Sequence, residues 1–144
     1  MSDEPLVSVV LIGFNDVGRI GRALESIRRQ TLRSIEIIVV DDASTDGTAE
    51  FVESVAVNDS RIRLLTRADN SGGCSAPRND GLRMARAPWV MFCDSDDEYD
   101  LHACATLLRA AEDWNADVVC GTAIRHDVAR DRDKRWRPEL HAAD

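Results

Sequence analysis

The chain has 144 residues, of which 44% are hydrophobic and 31% are charged, as is typical of one globular domain rather than of a disordered chain. The net charge of −8 argues against a nucleic-acid partner, because binding a phosphate backbone requires an excess of Lys and Arg. No apolar run approaches the roughly 20 residues that span a bilayer, so the sequence predicts no membrane span.

Cysteine spacing and the first residues favour a cytoplasmic protein. The four cysteines form no close C-x-x-C pair, which argues against zinc and against a disulfide framework. Residues 1–4 are acidic at two positions and do not resemble a secretory signal. Attachment at the inner face of the membrane, through regions outside this chain, stays open. The histidines show no ligand spacing; they are His102, His126 and His141.

Hydrophobic periodicity predicts strands and helices in regular alternation. The first strand is continuously apolar, which is typical of a strand buried on both faces. Asn15 or Asp16 is expected to cap the first helix. In chain order we expect a strand over 6–12, a helix over 17–30, a strand over 35–40, a helix running to about residue 57, a strand over 61–66, a helix over 74–86, a strand over 89–93, a helix over 101–114 and a fifth strand within 117–124.

This alternation predicts an α/β fold, a Rossmann-like, doubly wound and mainly parallel sheet flanked by helices. Ligands of such sheets bind beyond the carboxyl ends of the strands. Three predicted strands end in polar clusters, which we expect to converge on one crevice: Phe14-Asn15, Asp41-Asp42 and Asp94 to Asp97. Residues 1–124 are the predicted domain, and residues 125–144 are predicted to form a charged arm.

The Asp94-Ser95-Asp96-Asp97 segment is the candidate metal site. Hard divalent cations prefer carboxylate oxygens, and Mg²⁺ is typically held by one or two carboxylates together with substrate phosphates. An isolated acidic turn is more often a helix cap, since turns attract Asp and Ser. Three acids after a buried strand, with a second acidic pair after another strand, favour the metal.

Other residues are candidates for binding a nucleotide. Asp41 and Asp42 close a buried strand and need donor partners. One can accept from a nucleobase or ribose donor, and the other can cap the following helix or the Gly72-Gly73 loop. Capping alone is an adequate interpretation for Asp41 but less so for both acids. Phe14 can stack on a nucleobase, and ordinary packing is an equally good interpretation. Arg78 lies in the first turns of a helix, where a guanidinium favours an anionic ligand. The G-x-G-x-x-G, G-x-x-x-x-G-K-[ST] and G-x-S-x-G motifs do not occur.

Together these segments resemble the family 2 glycosyltransferases, which have the GT-A fold. The resemblance covers residues 6 to 124, and Gly13 stands where the family often has proline. It is carried by VSVVLIGFND, SIRRQTLRSIEIIVVDDASTDGT, RIRLL, NSGGCSAPRNDGL and WVMFCDSDD.

The resemblance implies a role for each matching residue. Phe14 and Asn15 match the element that contacts the nucleoside, Asp42 matches the acid that binds uracil, with Asp41 beside it, and Arg78 matches the arginine that contacts the nucleotide. In the D-x-D element, Asp96 would ligate Mn²⁺ or Mg²⁺. Asp94 would lie near the ribose or a water on the metal, with Ser95 between them.

By the same resemblance, the chain is expected to bind a nucleotide-diphospho-sugar, a UDP-sugar in the first instance. Inverting transfer to an acceptor hydroxyl would follow, in cell-wall or polysaccharide synthesis. The acceptor is expected to be a saccharide, a polymer or a lipid-linked molecule. The catalytic base is unknown and is expected in an acceptor-binding half beyond this chain.

Two other classes of protein remain open. One is a truncated or degenerate module that binds a nucleotide or another protein without catalysis. The other is a phospho-receiver-like signalling domain, because Asp41-Asp42 after a strand resembles an acidic pocket. That fold needs a lysine after its last strand, and the single lysine, Lys134, lies in the charged arm.

Overall fold

The computed structural model describes residues 4–127 and 129–136, so residues 1–3, residue 128, His141 and the rest of the predicted arm after residue 136 lie outside the described part. Six strands and four helices are found among the described residues: β1 (Val7–Gly13), α1 (Ile20–Arg28), β2 (Ile35–Asp41), α2 (Thr48–Ala56), β3 (Ile62–Thr66), α3 (Ser75–Met84), β4 (Trp89–Asp94), α4 (Ala103–Trp114), β5 (Ala123–Asp127) and β6 (Arg132–Trp136).

The first four strands form a parallel sheet in the order β3-β2-β1-β4. All seven residues of β1 and of β2 are buried, as expected for central strands covered on both faces. Val10, Ile12, Ile38 and Val40 form one core cluster, against which Met84 at the end of α3 packs. The predicted α/β fold with a parallel sheet flanked by helices is therefore confirmed.

Helix α1 presents the predicted apolar face. Ile20, Ala23, Leu24 and Ile27 are all buried, which matches their helical spacing. The start of this helix differs in detail from the expected side-chain cap. The backbone carbonyl of Asp16 accepts the N–H groups of Arg19 and Ile20 at 3.0 and 2.9 Å, while the carboxylate of Asp16 makes other bonds.

The fifth strand overlaps the predicted range 117–124 by two residues and lies outside the parallel sheet. Residues 117–122 carry no strand, and β5 begins only at Ala123, where it pairs antiparallel with β6. Part of the predicted charged arm is therefore a hairpin, in which His126 Nδ1 lies 2.7 Å from Asp133 Oδ1. Charged residues can form such strands because cross-strand pairs of opposite charge stabilise them.

The chain divides into two compact units, one ending at Ala105 and the other beginning at Thr106. This boundary lies within α4 and before the predicted one at residue 124. The first unit contains the whole parallel sheet and every predicted binding residue. The second contains the hairpin.

Gly81 allows α3 to lie directly on β1. A methyl group at this position would lie 2.3 Å from Cγ1 of Val10, a distance that core atoms do not tolerate. By contrast, a methyl group at Gly18 would meet no atom of the described residues within 4 Å. Gly81 belongs to the NSGGCSAPRNDGL stretch that carries the family resemblance, and the close packing on Val10 explains why a glycine stands there.

We expect Gly81→Ala to destabilise the protein by about 1–3 kcal/mol, because overpacking outweighs the roughly 1 kcal/mol that alanine gains in a helix. The measurement is urea unfolding followed by circular dichroism, with Gly18→Ala as the matched control, for which a change within about 0.5 kcal/mol is expected. Equal stability of Gly81→Ala and the parent protein would contradict this packing.

Candidate functional site

The strand order brings the polar strand ends together. The chain runs outward from β1 to β2 and β3 and then returns to place β4 on the other side of β1. Such a reversal opens a crevice at the carboxyl ends of the two strands that flank it. In the register, Gly13 of β1 lies opposite Asp41 of β2, and Ile12 lies opposite Asp94 of β4.

A cleft of about 460 Å³ lies at this edge of the sheet. Asp42 and Asp96 both line it, so acids that follow two different strands share one cavity, as the sequence predicts. Residues from or after all four parallel strands contribute to its wall: Ile12, Gly13 and Phe14 from the first, Asp42 from the second, Asn70, Gly72, Gly73, Cys74 and Pro77 after the third, and Asp94, Ser95 and Asp96 from the fourth.

Three carboxylates cluster on the β4 side of this cleft. Asp94, Asp96 and Asp97 each offer an oxygen, and the three oxygens lie within 4.8 Å of one another. Burial raises the pKa of Asp97, and the negative charges of Asp96 and Asp94 raise it further, against the opposing effect of Arg78. This all-oxygen donor set fits a hard divalent cation such as Mg²⁺ or Mn²⁺. The sequence places Asp97 in the candidate metal segment, although the ligand roles there are given to Asp94 and Asp96.

Arg78 contacts this cluster from the side of α3. Its Nη2 donates to Oδ1 of Asp94 at 2.6 Å, and this hydrogen bond raises the pKa of the guanidinium. The guanidinium carbon lies 6.0 Å from the centre of the Phe92 ring. Arg78 is not among the described residues that line the cleft. Its contact with Asp94 partly neutralises the cluster and leaves the second oxygen of Asp94 for another partner.

Asp42 lies across the cleft and is held by donors from the segment after β3. Its Oδ1 accepts from Nη1 of Arg67 at 2.5 Å, and its Oδ2 accepts from the backbone N–H and hydroxyl of Ser71 at 3.0 and 2.7 Å and from Nδ2 of Asn70 at 3.1 Å. Burial alone would raise the pKa of Asp42, but the bonds from Arg67 and Ser71 outweigh it and lower the pKa. Asp42 is therefore a fixed carboxylate.

Phe14 lines the cleft and is 46% exposed, so part of its ring is available to a ligand. Asn15, the next residue, contacts a turn instead. Its Oδ1 accepts the N–H of Thr45 at 2.8 Å, and its own N–H donates to the hydroxyl of Ser44 at 2.8 Å. Asn15 has a φ of 48°, a left-handed conformation that asparagine tolerates better than most residues.

Asp41 is fully buried and makes its described side-chain bond to the same turn, where its Oδ2 accepts the N–H of Ser44 at 3.0 Å. Neither Asn15 nor Asp41 is among the described residues of the cleft wall. The structure thus gives both residues a role in holding the 44–45 turn, and direct contact of either one with a nucleotide stays a prediction.

Sequence analysis missed the residues that hold Asp42 and Ser95. Arg67, Asn70 and Ser71 bind Asp42, and Asp16 accepts the hydroxyl hydrogen bond of Ser95. Asn70 and Ser71 lie in the N-S-G-G loop, whose side chains are common donors in turns. The sequence predicts only a capping role for Asp16, and no sequence signal links it to Ser95, 79 positions away.

The chain is similar in sequence and fold to known glycosyltransferases. A curated relative, the poly(ribitol-phosphate) β-N-acetylglucosaminyltransferase TarP of Staphylococcus aureus, is 34% identical over 80% of this chain and 36% of its own. The structure of S. aureus TarS in complex with UDP-GlcNAc matches 74% of this chain and 31% of that one, with a TM-score of 0.70 and 31% identity.

A third similar protein is the mannosyltransferase PcManGT of Pyrobaculum calidifontis, solved in complex with GDP-Man and Mn²⁺. It matches 83% of this chain and 34% of its own, with a TM-score of 0.67 and 30% identity. The present chain spans 36–40% of the length of the first curated relatives that it matches. Within the described residues, no helix combines the length and apolar character needed to cross a membrane.

A family model described as Glycosyl transferase family 2 matches residues 8–141, which is most of the chain. The predicted resemblance is confirmed by this match, and the alternative of a receiver-like signalling domain is wrong. From its sequence match and its GT-A-type structural neighbours, the chain belongs to glycosyl transferase family 2.

Proposed function

We propose that this chain binds a nucleoside diphosphate sugar, preferably a UDP-sugar, together with Mn²⁺ or Mg²⁺, as the donor-binding part of an inverting glycosyltransferase. One observation carries the proposal: Asp42 and the carboxylates of Asp94 and Asp96 line the same cleft at the reversal of strand order. Asp42 is a fixed hydrogen-bond acceptor on one wall, which suits a nucleobase. The carboxylates on the other wall can hold a cation, which suits the diphosphate.

Asp42 gives this cleft a preference among nucleobases. Because its pKa is lowered, it remains a carboxylate near neutral pH and acts as a hydrogen-bond acceptor. Uracil at N3 and guanine at N1 present a ring N–H to such an acceptor, whereas adenine presents an unprotonated nitrogen at N1. The half-exposed ring of Phe14 supports stacking of the base in the same cleft.

The acidic cluster would hold the cation through Asp96 and Asp94, with Asp97 as a third available carboxylate. When bound, the cation supplies Lewis-acid stabilisation of the negative charge on the diphosphate. Arg78, through its bond to Asp94, would orient that carboxylate. Ser95 lines the cleft between these acids, and we include it, with Asn15 and Asp41, among the residues that shape the nucleotide site.

In the proposed reaction, the acceptor hydroxyl oxygen bonds to the anomeric carbon as the bond from that carbon to the diphosphate oxygen breaks. The electron pair of the broken bond leaves with the nucleoside diphosphate, and a general base takes the hydroxyl proton. We assign the base to no residue of this chain. We place the reaction at the cytoplasmic side of the cell, with a saccharide, a polymer or a lipid-linked molecule as acceptor.

A second candidate is a chain that binds the donor without transferring the sugar. The observation that favours it is the span of 36–40% of the length of the first curated relatives. Incubation with radiolabelled UDP-sugars and a panel of hydroxyl acceptors separates the two, because the second candidate predicts metal-dependent donor binding without a labelled product.

Calorimetric titration with UDP is expected to show binding that requires Mn²⁺. Asp96→Ala should weaken it at least about tenfold, or about 1.4 kcal/mol, because a cation ligand is lost. Glu98→Ala is the matched control: it removes a nearby exposed carboxylate that pairs with Arg22 at 3.4 Å and should leave the affinity within about twofold. UDP affinity that is the same with and without Mn²⁺ would count decisively against the proposal.

Replacement of Arg67 by Gln is expected to raise the pKa of Asp42, because the guanidinium bond that stabilises the carboxylate is lost. Since the folded-state pKa of Asp42 is lowered, its bonds stabilise the fold above the unfolded-state pKa and are lost as the pH falls through the folded-state value. In Arg67→Gln, that loss should begin at a higher pH. Carboxyl ¹³C NMR of Asp42 measures the change directly.

The matched control for this titration is Arg83→Gln. Arg83 pairs with Asp80, which also accepts a hydrogen bond from Arg67 at 2.8 Å. The arginine that bonds Asp42 directly is Arg67. The pKa of Asp42 should therefore stay close to the parent value in Arg83→Gln. The same Asp42 pKa in both variants would show that Arg67 does not hold this carboxylate ionised.

A further inference from the structure

Ser95 stands between the two acids of the D-x-D element and is tied to a residue far away in the sequence. Its hydroxyl donates to Oδ2 of Asp16, which follows β1 and is 6% exposed. Asp16 belongs to neither the cation cluster nor the described cleft wall. A buried carboxylate therefore fixes the backbone from which Asp94 and Asp96 project.

Asp16 is in turn held by both neighbouring helices. Its Oδ1 accepts from Nε of Arg19 at 2.5 Å, so both carboxylate oxygens have donors. Its backbone N–H donates to the hydroxyl of Thr48, the first residue of α2, at 3.0 Å. Its carbonyl accepts the N–H of Ile20 at the start of α1 at 2.9 Å. Asp16 is thus fixed to the starts of α1 and α2.

The far end of the acidic segment is anchored to α1 and the residues after it. The hydroxyl of Ser26 accepts the backbone N–H of Tyr99 at 3.0 Å. Gln30, which is fully buried, donates from Nε2 to the carbonyl of Asp100 at 2.7 Å and accepts at Oε1 from the N–H of Cys104 at 2.9 Å. The hydrogen bond between Ser95 and Asp16 anchors the other end of this segment, next to the clustered carboxylates.

Such anchoring matters because Asp94, Asp96 and Asp97 repel one another. Three carboxylates with oxygens within 4.8 Å of one another move apart if the backbone allows it. Bringing them together again then costs free energy when a cation binds, which lowers the affinity. Groups that orient metal ligands from outside typically change metal affinity by about 10–100-fold when they are removed.

We propose that Asp16, acting through the Ser95 hydroxyl, is a positioning residue that holds the Asp94–Asp97 segment in its cation-binding shape. This inference rests on the proposed function, because it assumes that the acidic cluster takes a cation. It concerns the affinity of the protein for the metal alone, before any nucleotide binds. Asp16 touches neither the cation nor the donor in this account.

The test measures Mn²⁺ binding without nucleotide, by the electron paramagnetic resonance signal of free Mn²⁺, for the parent protein, Ser95→Ala and Asp16→Asn. Each variant should bind Mn²⁺ about tenfold more weakly. The double variant should be no weaker than the weaker single variant, because both changes remove the same contact between the Ser95 hydroxyl and the Asp16 carboxylate. Ser54→Ala is the matched control, since the described bond of its hydroxyl goes to a backbone carbonyl of α2 and its loss should leave Mn²⁺ affinity unchanged.

Two further readouts separate positioning from a general loss of structure. Uridine, which carries no phosphate, should bind Asp16→Asn as it binds the parent protein, because Asp16 lies outside the described cleft wall and Phe14 and Asp42 are untouched. Backbone amides of residues 95–97 should exchange hydrogen faster in metal-free Ser95→Ala, while those of β1 and β2 should not.

Mn²⁺ affinity that is unchanged in both single variants, while the parent protein binds Mn²⁺, would overturn this inference and leave the proposed function intact. Additive losses in the double variant, or a parallel loss of uridine binding and thermal stability, would also overturn it. A parent protein that takes up no Mn²⁺, with or without UDP, would overturn the proposed function and this inference together.

Discussion

The parallel pairing of β1 with its two neighbours is the constraint on which the site depends. Gly13 lies opposite Asp41, and Ile12 lies opposite Asp94, so the register brings the acidic ends of β2 and β4 to the two sides of β1. A shift of one residue would turn every side chain of a strand to the other face. Since β1 and β2 are buried along their whole length, the apolar residues fix the register and thereby fix the acids. The free energy that keeps these mutually repelling carboxylates together comes from the core.

The two acidic regions differ in how their charge is balanced. Asp42 receives hydrogen bonds from Arg67, Asn70 and Ser71, and its pKa is lowered. In the cluster of Asp94, Asp96 and Asp97, Arg78 contacts Asp94, and the pKa of Asp97 is raised. On the Asp42 side of the cleft, the carboxylate is therefore held in place by donors. On the other side, the cluster has an excess of negative charge. This difference is what a site needs if it binds a neutral base at one end and a cation with a diphosphate at the other.

Most of the fold could be predicted because it depends on local patterns. The apolar runs of β1 and β2 and the spacing of Ile20, Ala23, Leu24 and Ile27 in α1 are visible in the sequence, and the alternation of strands with helices implies a parallel sheet. The hairpin was missed because β5 and β6 are rich in charge and pair through cross-strand contacts, which leave no apolar period. The cleft acids could be predicted from their positions after strands. The bonds that hold them could not, since the partners Asp16 and Ser95 are 79 positions apart and only the folded chain brings them together.

The central claim is that acids from separate strand ends enclose one cation and one nucleotide in a single cleft. A crystal of the protein grown with UDP and Mn²⁺, measured at the manganese absorption edge, tests it most directly. The account predicts an anomalous peak within about 2.0–2.3 Å of carboxylate oxygens of the Asp94–Asp97 segment, a diphosphate on that ion, and a uracil ring that contacts Phe14 with its N3 facing Asp42. An ion bound elsewhere, or a nucleotide outside the cleft that Asp42 and Asp96 share, would contradict the account.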